Sequence, residues 1–317
     1  MGLSQDQNYV NPLRISIVKY LNTAPLVRGF THGPLRGKYQ LSFTVPSQCA
    51  EALRTGAADI AIIPSIELQR IDGLVVLPYL SIASKNSVRS LLLVAKKPIK
   101  EIRRIALDRC SRSTQALVRI LCAKHWHIAP EFFEADPDLP AMLQQADAAL
   151  LIGDPALQLA FAANRSGKRG GTDVPRGSGT SAEIAKTRPP FVHDIVEEWR
   201  ALTNVPAVLA VWAAKREVIR PEVVSDFQQS LAFGLQHLDD IAAEAAKELR
   251  LRTTDLRNYF DENIDYTLDE ENRRGLQHFY ELSAELGLIP EAKPVQIANF
   301  EQSAELAAER RTQELLK

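Results

Sequence analysis

Apolar residues in the first third of the chain fall in short continuous runs rather than in alternation. Arg14–Tyr20 (RISIVKY), Tyr39–Val45 (YQLSFTV), Asp59–Ile63 (DIAII) and Leu74–Leu80 (LVVLPYL) each read as a strand. The stretches between them carry helix signals. A turn at Asn22 leads to a helix start at Pro25, Pro46 and Ser47 open a helix that Gly56 stops, and Ser65 can cap another. A βαβαβ rhythm with apolar strands predicts a parallel sheet covered on both faces.

A second set follows. Ser90–Ala95, Arg104–Asp108, Phe132–Ala135, Ala148–Gly153 and Ala207–Ala213 read as strands. Helices are expected from Ser111 to Cys122, over Leu139–Gln145, after the Gly153-Asp154-Pro155 turn, and over Pro190–Thr203 around Trp199. Residues 164–188 are too rich in Gly, Ser, Arg and Pro to bury a core and read as a surface insertion. A basic lid over an anionic ligand is the alternative. The remainder is helical: Val223, Phe227, Leu231, Leu235, Leu238 and Ile241 form one core-facing stripe. Thr267 and Glu270 form a capping-box signature before a helix that Gly287 ends.

The expected architecture is therefore α/β and two-lobed, with a ligand cleft between the lobes and a C-terminal helical segment. Residues 1–95 with 209–317 form the first lobe, and 96–208 the second. This resembles the periplasmic-binding-protein-like (type II) fold, in which ligands sit where strand ends and helix N-termini meet.

Composition narrows the function without naming it. The 317 residues include 38 Lys and Arg against 39 Asp and Glu. That balance argues against nucleic acid or an anionic membrane surface as a partner, while leaving room for a small anionic ligand. Cys49, Cys110 and Cys122 have no metal-ligand spacing and read as reduced thiols. The polar start, Met1–Pro12, lacks the features of a signal peptide, and no apolar run approaches the roughly 18 residues of a membrane span. A cytoplasmic protein is expected.

Candidate chemistry gathers at strand-to-helix junctions: Tyr20–Leu26, Pro64-Ser65, Ser84–Ser90 and Asp108–Thr114. Hydroxyls and free N–H groups at such junctions favour a carboxylate or phosphate. Read singly, each Ser, and Asn22 as well, can equally be a helix cap. Motifs for dinucleotides, nucleotide phosphates, catalytic zinc or a serine nucleophile are missing. His125 and His127 have no acidic or thiol neighbours in sequence, and the paired carboxylates (Glu197-Glu198, Asp239-Asp240, Glu270-Glu271) fall on helical stretches as solvated faces.

Longer strings carry a more specific signal. IVKYLNTAPL, SQCAEALRTGAADIAIIPSIE, VRSLLLV, IALDRCSRSTQALVRIL, ALLIGDPAL, DIVEEWRALTNVPAVLAVWA and YTLDEENRRGLQHFYELSAELGLI together resemble the chorismate dehydratases of the futalosine-dependent menaquinone pathway. The resemblance spans nearly the whole chain apart from residues 164–188. It departs at Asn86-Ser87, where a Gly-Pro pair is usual, and at Ser113-Thr114, where Thr-Ser is more frequent. It departs also at Asn204, where glycine is usual, and at Ala207, where a bulkier aromatic is usual.

The resemblance implies dehydration of chorismate to 3-[(1-carboxyvinyl)oxy]benzoate, with no metal and no cofactor. Asn22, from the YLN motif, is then the catalytic polar group. Tyr20, Ser65, Ser87, Ser90, Arg112, Ser113, Thr114, Gly153 and Asp154 are the candidates for binding the dicarboxylate. No side chain stands out as the base, and the substrate's own enolpyruvyl carboxylate can take that role. The alternatives are the sibling enzyme that forms 1,4-dihydroxy-6-naphthoate, and a solute-binding or ligand-sensing protein for a small carboxylate.

Overall fold

The computed structural model of the protein describes residues 12–166 and 191–299. The expected insertion at 164–188 lies outside these residues, apart from the three that end a helix. The elements run in the order β1 (Arg14–Val18), a 3-10 turn (Leu21–Thr23), α1 (Ala24–Thr31), β2 (Gln40–Thr44), α2 (Pro46–Arg54), β3 (Ile60–Pro64), a second 3-10 turn (Ser65–Gln69) and β4 (Leu74–Ser84). The second sheet's elements follow: β5 (Leu91–Ala95), β6 (Arg104–Asp108), α3 (Arg112–Ile120), β7 (Glu131–Ala135), α4 (Leu139–Gln145), β8 (Ala148–Ile152), α5 (Gly153–Ser166), β9 (Phe191–Asp194) and α6 (Ile195–Thr203). The chain then returns through β10 (Ala207–Lys215) and continues as α7 (Pro221–Gln236), α8 (Leu238–Leu249), α9 (Thr253–Asn258), β11 (Asp265–Leu268) and α10 (Glu270–Glu285).

Two sheets result, in strand orders β11-β4-β10-β3-β1-β2 and β7-β6-β8-β5-β9. Each has a parallel heart: β2-β1-β3 in the first and β7-β6-β8 in the second. Neither is wholly parallel. β10 runs antiparallel to both β3 and β4, and β5 runs antiparallel to β8 and β9. The antiparallel strands are those by which the chain leaves and re-enters each sheet, so their direction follows from the crossings. Leu91–Ala95, expected to close the first lobe, pairs instead with β8 and β9 in the second sheet.

Three further expectations change. Phe191–Asp194 is a short strand, and Asp194 rather than an upstream residue caps α6, its carboxylate accepting the Val196 and Glu197 N–H groups. Asp269, not Thr267, caps α10; it accepts the Asn272 N–H while Thr267 is used in β11. Glu198 is not a solvated surface charge. It accepts from Trp126 Nε1 (3.1 Å), lies 3.0 Å from His125 Nε2 and 2.9 Å from His193 Nδ1, and these neighbours hold its carboxyl below the usual range.

The core of the first sheet is strongly aromatic on one face. Trp212 on β10 meets Phe227 on α7 edge-on, with ring centroids 4.8 Å apart, and Phe30 on α1 meets Phe227 at 4.9 Å. Edge-to-face pairs of this kind add to simple area burial. Helices α1 and α7 approach so closely that a Cβ on Gly234 would lie 1.9 Å from the Pro25 carbonyl oxygen. Only glycine fits there, and the close approach anchors α1 directly behind the turn that carries Asn22.

The outward crossing, residues 85–90, is tied down from three sides. Asp194 accepts the Val88 and Arg89 N–H groups at 3.0 and 2.6 Å. Asn263 Nδ2 donates to the Ser87 carbonyl and hydroxyl, and the Tyr259 hydroxyl donates to Ser90 Oγ. No helix among the described residues is long and apolar enough to cross a membrane.

Candidate active site

A cleft between the two sheets encloses about 480 Å³, its open mouth included. Its walls come from the C-terminal ends of β1, β3, β4 and β8 and from the N-terminal ends of the antiparallel β5 and β10. Val18, Pro64, Ile82, Leu209 and Ala210 line it from the first sheet, and Ile152 and Leu91 from the second. Pro46 opens α2 against it, and Ser111, Ser113 and Thr114 bring the start of α3 to it. Tyr20, Asn22 and Gly153 complete the lining. No Asp, Glu, Lys, Arg or His is among these residues.

Asn22 is placed by the chain's own hydrogen bonds. The Thr23 hydroxyl donates back to the carbonyls of Val18 (2.5 Å) and Tyr20 (2.7 Å), folding the segment after β1 into its 3-10 turn. The Leu21 N–H donates to Asp154 Oδ1 at 2.9 Å. The turn leaves Asn22 at the cleft with its Oδ1 buried and without a partner. A cap for α1 was the rival role for this residue, but no side chain caps the 3-10 turn or α1. A buried amide oxygen left unsatisfied costs about 1–3 kcal/mol, which a ligand donor recovers.

The start of α3 brings groups to the cleft that suit an anion. Ser111 is the N-cap residue, yet its side chain makes no capping bond. The first-turn N–H groups of a helix have no intrahelical acceptors, and their dipoles favour negative charge. The hydroxyls of Ser111 and Thr114 make no hydrogen bond among the described residues, so both remain available to a ligand. Tyr20 adds a phenol whose pKa is raised by burial, with Asp108, Cys110 and Asp154 reinforcing the shift; it stays protonated at neutral pH and can only donate or accept a hydrogen bond.

Five of the ten site residues expected from sequence thus share one cleft: Tyr20, Asn22, Ser113, Thr114 and Gly153. The Ser113 hydroxyl is partly committed, accepting the Ile66 N–H and lying 3.2 Å from Ser65 Oγ. The other five sit outside the lining. Ser65 is fully buried and donates to the Val208 carbonyl at 2.7 Å. Ser87 and Ser90 accept from Asn263 and Tyr259 in the crossing. Arg112 turns away to Glu67, 3.0 Å from Oε2. Asp154 holds the Leu21 N–H from behind the wall, and burial lifts its carboxyl to about 6.

Ser111 and the apolar walls were not among the ten expected site residues, although the Asp108–Thr114 junction was. Ser111 stands in the same hydroxyl run as Ser113 and Thr114 and carried a legible signal. Ile82 and Leu209 did not, because nothing local marks which side chains of a buried strand face a cleft.

A family model described as menaquinone biosynthesis matches residues 13–285 of the chain. A protein of Thermus thermophilus named chorismate dehydratase is 29% identical over 277 residues, covering 86% of this chain and 95% of that protein. Among solved structures, a protein of Archaeoglobus fulgidus superposes with a TM-score of 0.65 at 16% identity, over 89% of this chain and all of that one. The periplasmic aliphatic sulphonate binding protein of Escherichia coli gives 0.57 at 20% identity, over 90% of this chain and 96% of that one. At these identities the structural likenesses show the fold, and it is the periplasmic-binding-protein-like fold expected from sequence. With its family match running from the first strand to the end of α10, this chain belongs to the menaquinone biosynthesis family.

Proposed function

We propose that this chain is a chorismate dehydratase, a cytoplasmic hydro-lyase that converts chorismate to 3-[(1-carboxyvinyl)oxy]benzoate and water. The observation that carries the reading is the Asn22 amide, buried and unpartnered in a cleft whose other polar groups suit carboxylates. The similarity to the Thermus thermophilus dehydratase over 95% of that protein's length supports the choice of substrate.

The reaction removes the ring proton beside the enolpyruvyl ether and the hydroxyl on the neighbouring carbon. Loss of the proton leaves negative charge that spreads through the ring double bonds into the ring carboxylate. The hydroxyl then departs as water, taking up the proton that was removed from the ring carbon, and the ring becomes aromatic. Donors at the ring carboxylate stabilise the charge as it develops. The first-turn N–H groups of α3 with the Ser111 and Thr114 hydroxyls fill that role. Asn22 takes the leaving hydroxyl: Oδ1 accepts its proton in a hydrogen bond, and Nδ2 donates to the oxygen as it leaves.

The proton acceptor is assigned to the substrate. Among the described residues no carboxylate or imidazole lines the cleft, and the Tyr20 phenol is held protonated. The enolpyruvyl carboxylate, tethered beside the reacting carbon, is the remaining base, and an intramolecular acceptor needs no further entropy to bring it close.

Purified protein incubated with chorismate is expected to consume the diene absorbance and release a product lighter by one water. Asn22→Ala, folded as judged by circular dichroism, is expected to lose at least ~10²-fold in kcat, the scale of one transition-state donor. Binding of chorismate without turnover by the wild-type protein overturns the reading in favour of a carrier or sensor.

A further inference from the structure

The turn bearing Asn22 belongs to the first sheet, yet what holds it comes from the second. Leu21, the residue before Asn22, gives its N–H to Asp154 Oδ1 across 133 residues of sequence at 2.9 Å. Asp154 stands in the first turn of α5, close after β8, and this end of β8 is itself fixed, because the Gly153 N–H donates to the Ser90 carbonyl at 2.8 Å. Beside this bond the Tyr20 ring lies on Gly153 so closely that a Cβ there would be 2.7 Å from a ring atom. Tyr20 and Leu21 are therefore seated on Gly153 and Asp154, directly before Asn22.

The rest of the Asn22 turn has only local support. Thr23 bonds back to β1 within five residues, and the Asn22 side chain itself touches no hydrogen-bonding partner. Nothing else in the first sheet fixes the Leu21 N–H. Among the described residues the Leu21–Asp154 bond is thus the single long-range polar restraint on the rotation of this turn about the chain.

We infer that Asp154 is a positioning residue for Asn22: its carboxylate, carried by the opposite sheet, holds the 3-10 turn in the orientation that presents the Asn22 amide to the cleft. The inference rests on the dehydratase reading and adds to it a dependence of the catalytic turn on contact between the sheets. Asp154 lies outside the lining of the cleft, so its removal is expected to lower turnover without weakening ground-state binding.

The test is a double-mutant cycle on the full chain with chorismate, using Asn22→Ala, Asp154→Ala and the double variant, and adding Asp154→Asn. Asp154→Ala is expected to lower kcat by on the order of 10²-fold with KM within about threefold, since small misplacement of a catalytic group has effects of that size. Asp154→Asn keeps an oxygen acceptor for the Leu21 N–H and is expected to recover most of the loss. Adding Asp154→Ala to Asn22→Ala is expected to change kcat little further, because the two act as one unit. Thermal melts of each variant identify any that fails to fold, and Asp154→Asn carries the comparison if Asp154→Ala does not.

Multiplicative losses in the double variant, or a parallel rise in KM, overturn the positioning role while leaving the dehydratase reading in place. A wild-type protein that leaves chorismate untouched overturns the reading, and this inference with it.

Discussion

The Tyr20 ring rests on the Cα of Gly153, with three of its carbons 2.7–2.8 Å from where a Cβ would stand. Gly153 also has φ +66°, in the left-handed region that side chains with a Cβ adopt at a cost. One residue thus meets two independent requirements for glycine, and it does so at the point where the first sheet touches the second.

Gly153→Ala is expected to destabilise the fold by roughly 1–3 kcal/mol, combining left-handed strain with displacement of the ring. Urea unfolding measures this directly. The same variant is expected to reduce turnover, since Tyr20 precedes the Asn22 turn. Wild-type stability and activity together would mean that ring and backbone part without consequence.

Glu67 is expected to matter for stability rather than for the cleft. Its side chain is 0% exposed and is met by three arginines, Arg54 at 2.7 Å, Arg70 at 3.1 Å and Arg112 at 3.0 Å. Removing a buried charge from such a set leaves the partners uncompensated. The arginines are about one-third exposed, so solvent relieves part of this. Glu67→Gln is expected to lose about 2 kcal/mol of unfolding free energy. Arg112→Ala, with two arginines still in place, is expected to lose less and to leave KM for chorismate unchanged. A tenfold rise in KM for that variant would return Arg112 to the substrate site.

Much of this arrangement is visible in local sequence, and its limits have a physical cause. Strands β1, β3, β6 and β8 announce themselves because each is buried on both faces. Asn204 stands where a glycine is usual among the resembling sequences, and it occupies φ +57° as the C-cap of α6, which asparagine tolerates better than most residues. Hydroxyl-rich junctions lead to the start of α3, whose Ser111, Ser113 and Thr114 line the cleft. Whether a given hydroxyl faces the ligand is a different matter. Ser65 is satisfied by Val208, 143 residues away, and Ser90 by Tyr259, 169 residues away. Such partners are chosen by tertiary pairing, so local pattern places Ser65 and Thr114 on equal terms although only Thr114 lines the cleft. The antiparallel course of β10 and β5 was hidden for the same reason, and β9 was absorbed into its neighbouring helix because it is only four residues long.

Asp154 is expected to leave a mark on stability as pH changes. Burial raises its carboxyl to about 6, against an ordinary value of 3.8, with the single Leu21 N–H bond opposing the shift and the Glu248 charge adding to it. The folded state therefore holds this proton more tightly than the unfolded state between about pH 4 and 6. Stability from this group is fully present below pH 4 and is lost as pH rises through that window, by up to about 1.4 kcal/mol per unit. Asp154→Asn removes the titration. The unfolding free energy of the wild type minus that of the variant is expected to fall as pH rises from 4 to 6 and to level off above 7. A difference that stays constant across the range would place the carboxyl near its ordinary value.

The two hydroxyls at the start of α3 separate binding from scaffold. Ser111 and Thr114 line the cleft without hydrogen-bond partners among the described residues, whereas Ser65 and Ser90 are committed within the protein. A hydrogen bond from a neutral hydroxyl to a carboxylate contributes about 1.5–3 kcal/mol, or roughly 10- to 100-fold in affinity. Thr114→Val keeps the shape of the side chain and removes only the hydroxyl, so KM for chorismate is expected to rise about tenfold or more with the melting temperature nearly unchanged. Ser111→Ala is expected to act the same way, because its hydroxyl caps nothing that would then be lost. Ser65→Ala is expected to do the reverse: it strands the buried Val208 carbonyl and lowers stability by about 1–3 kcal/mol, with KM little affected. Steady-state kinetics and unfolding on the three variants decide the matter. If Ser65→Ala raised KM while Thr114→Val did not, the carboxylate end of the cleft would lie at the crossing between the sheets rather than at α3.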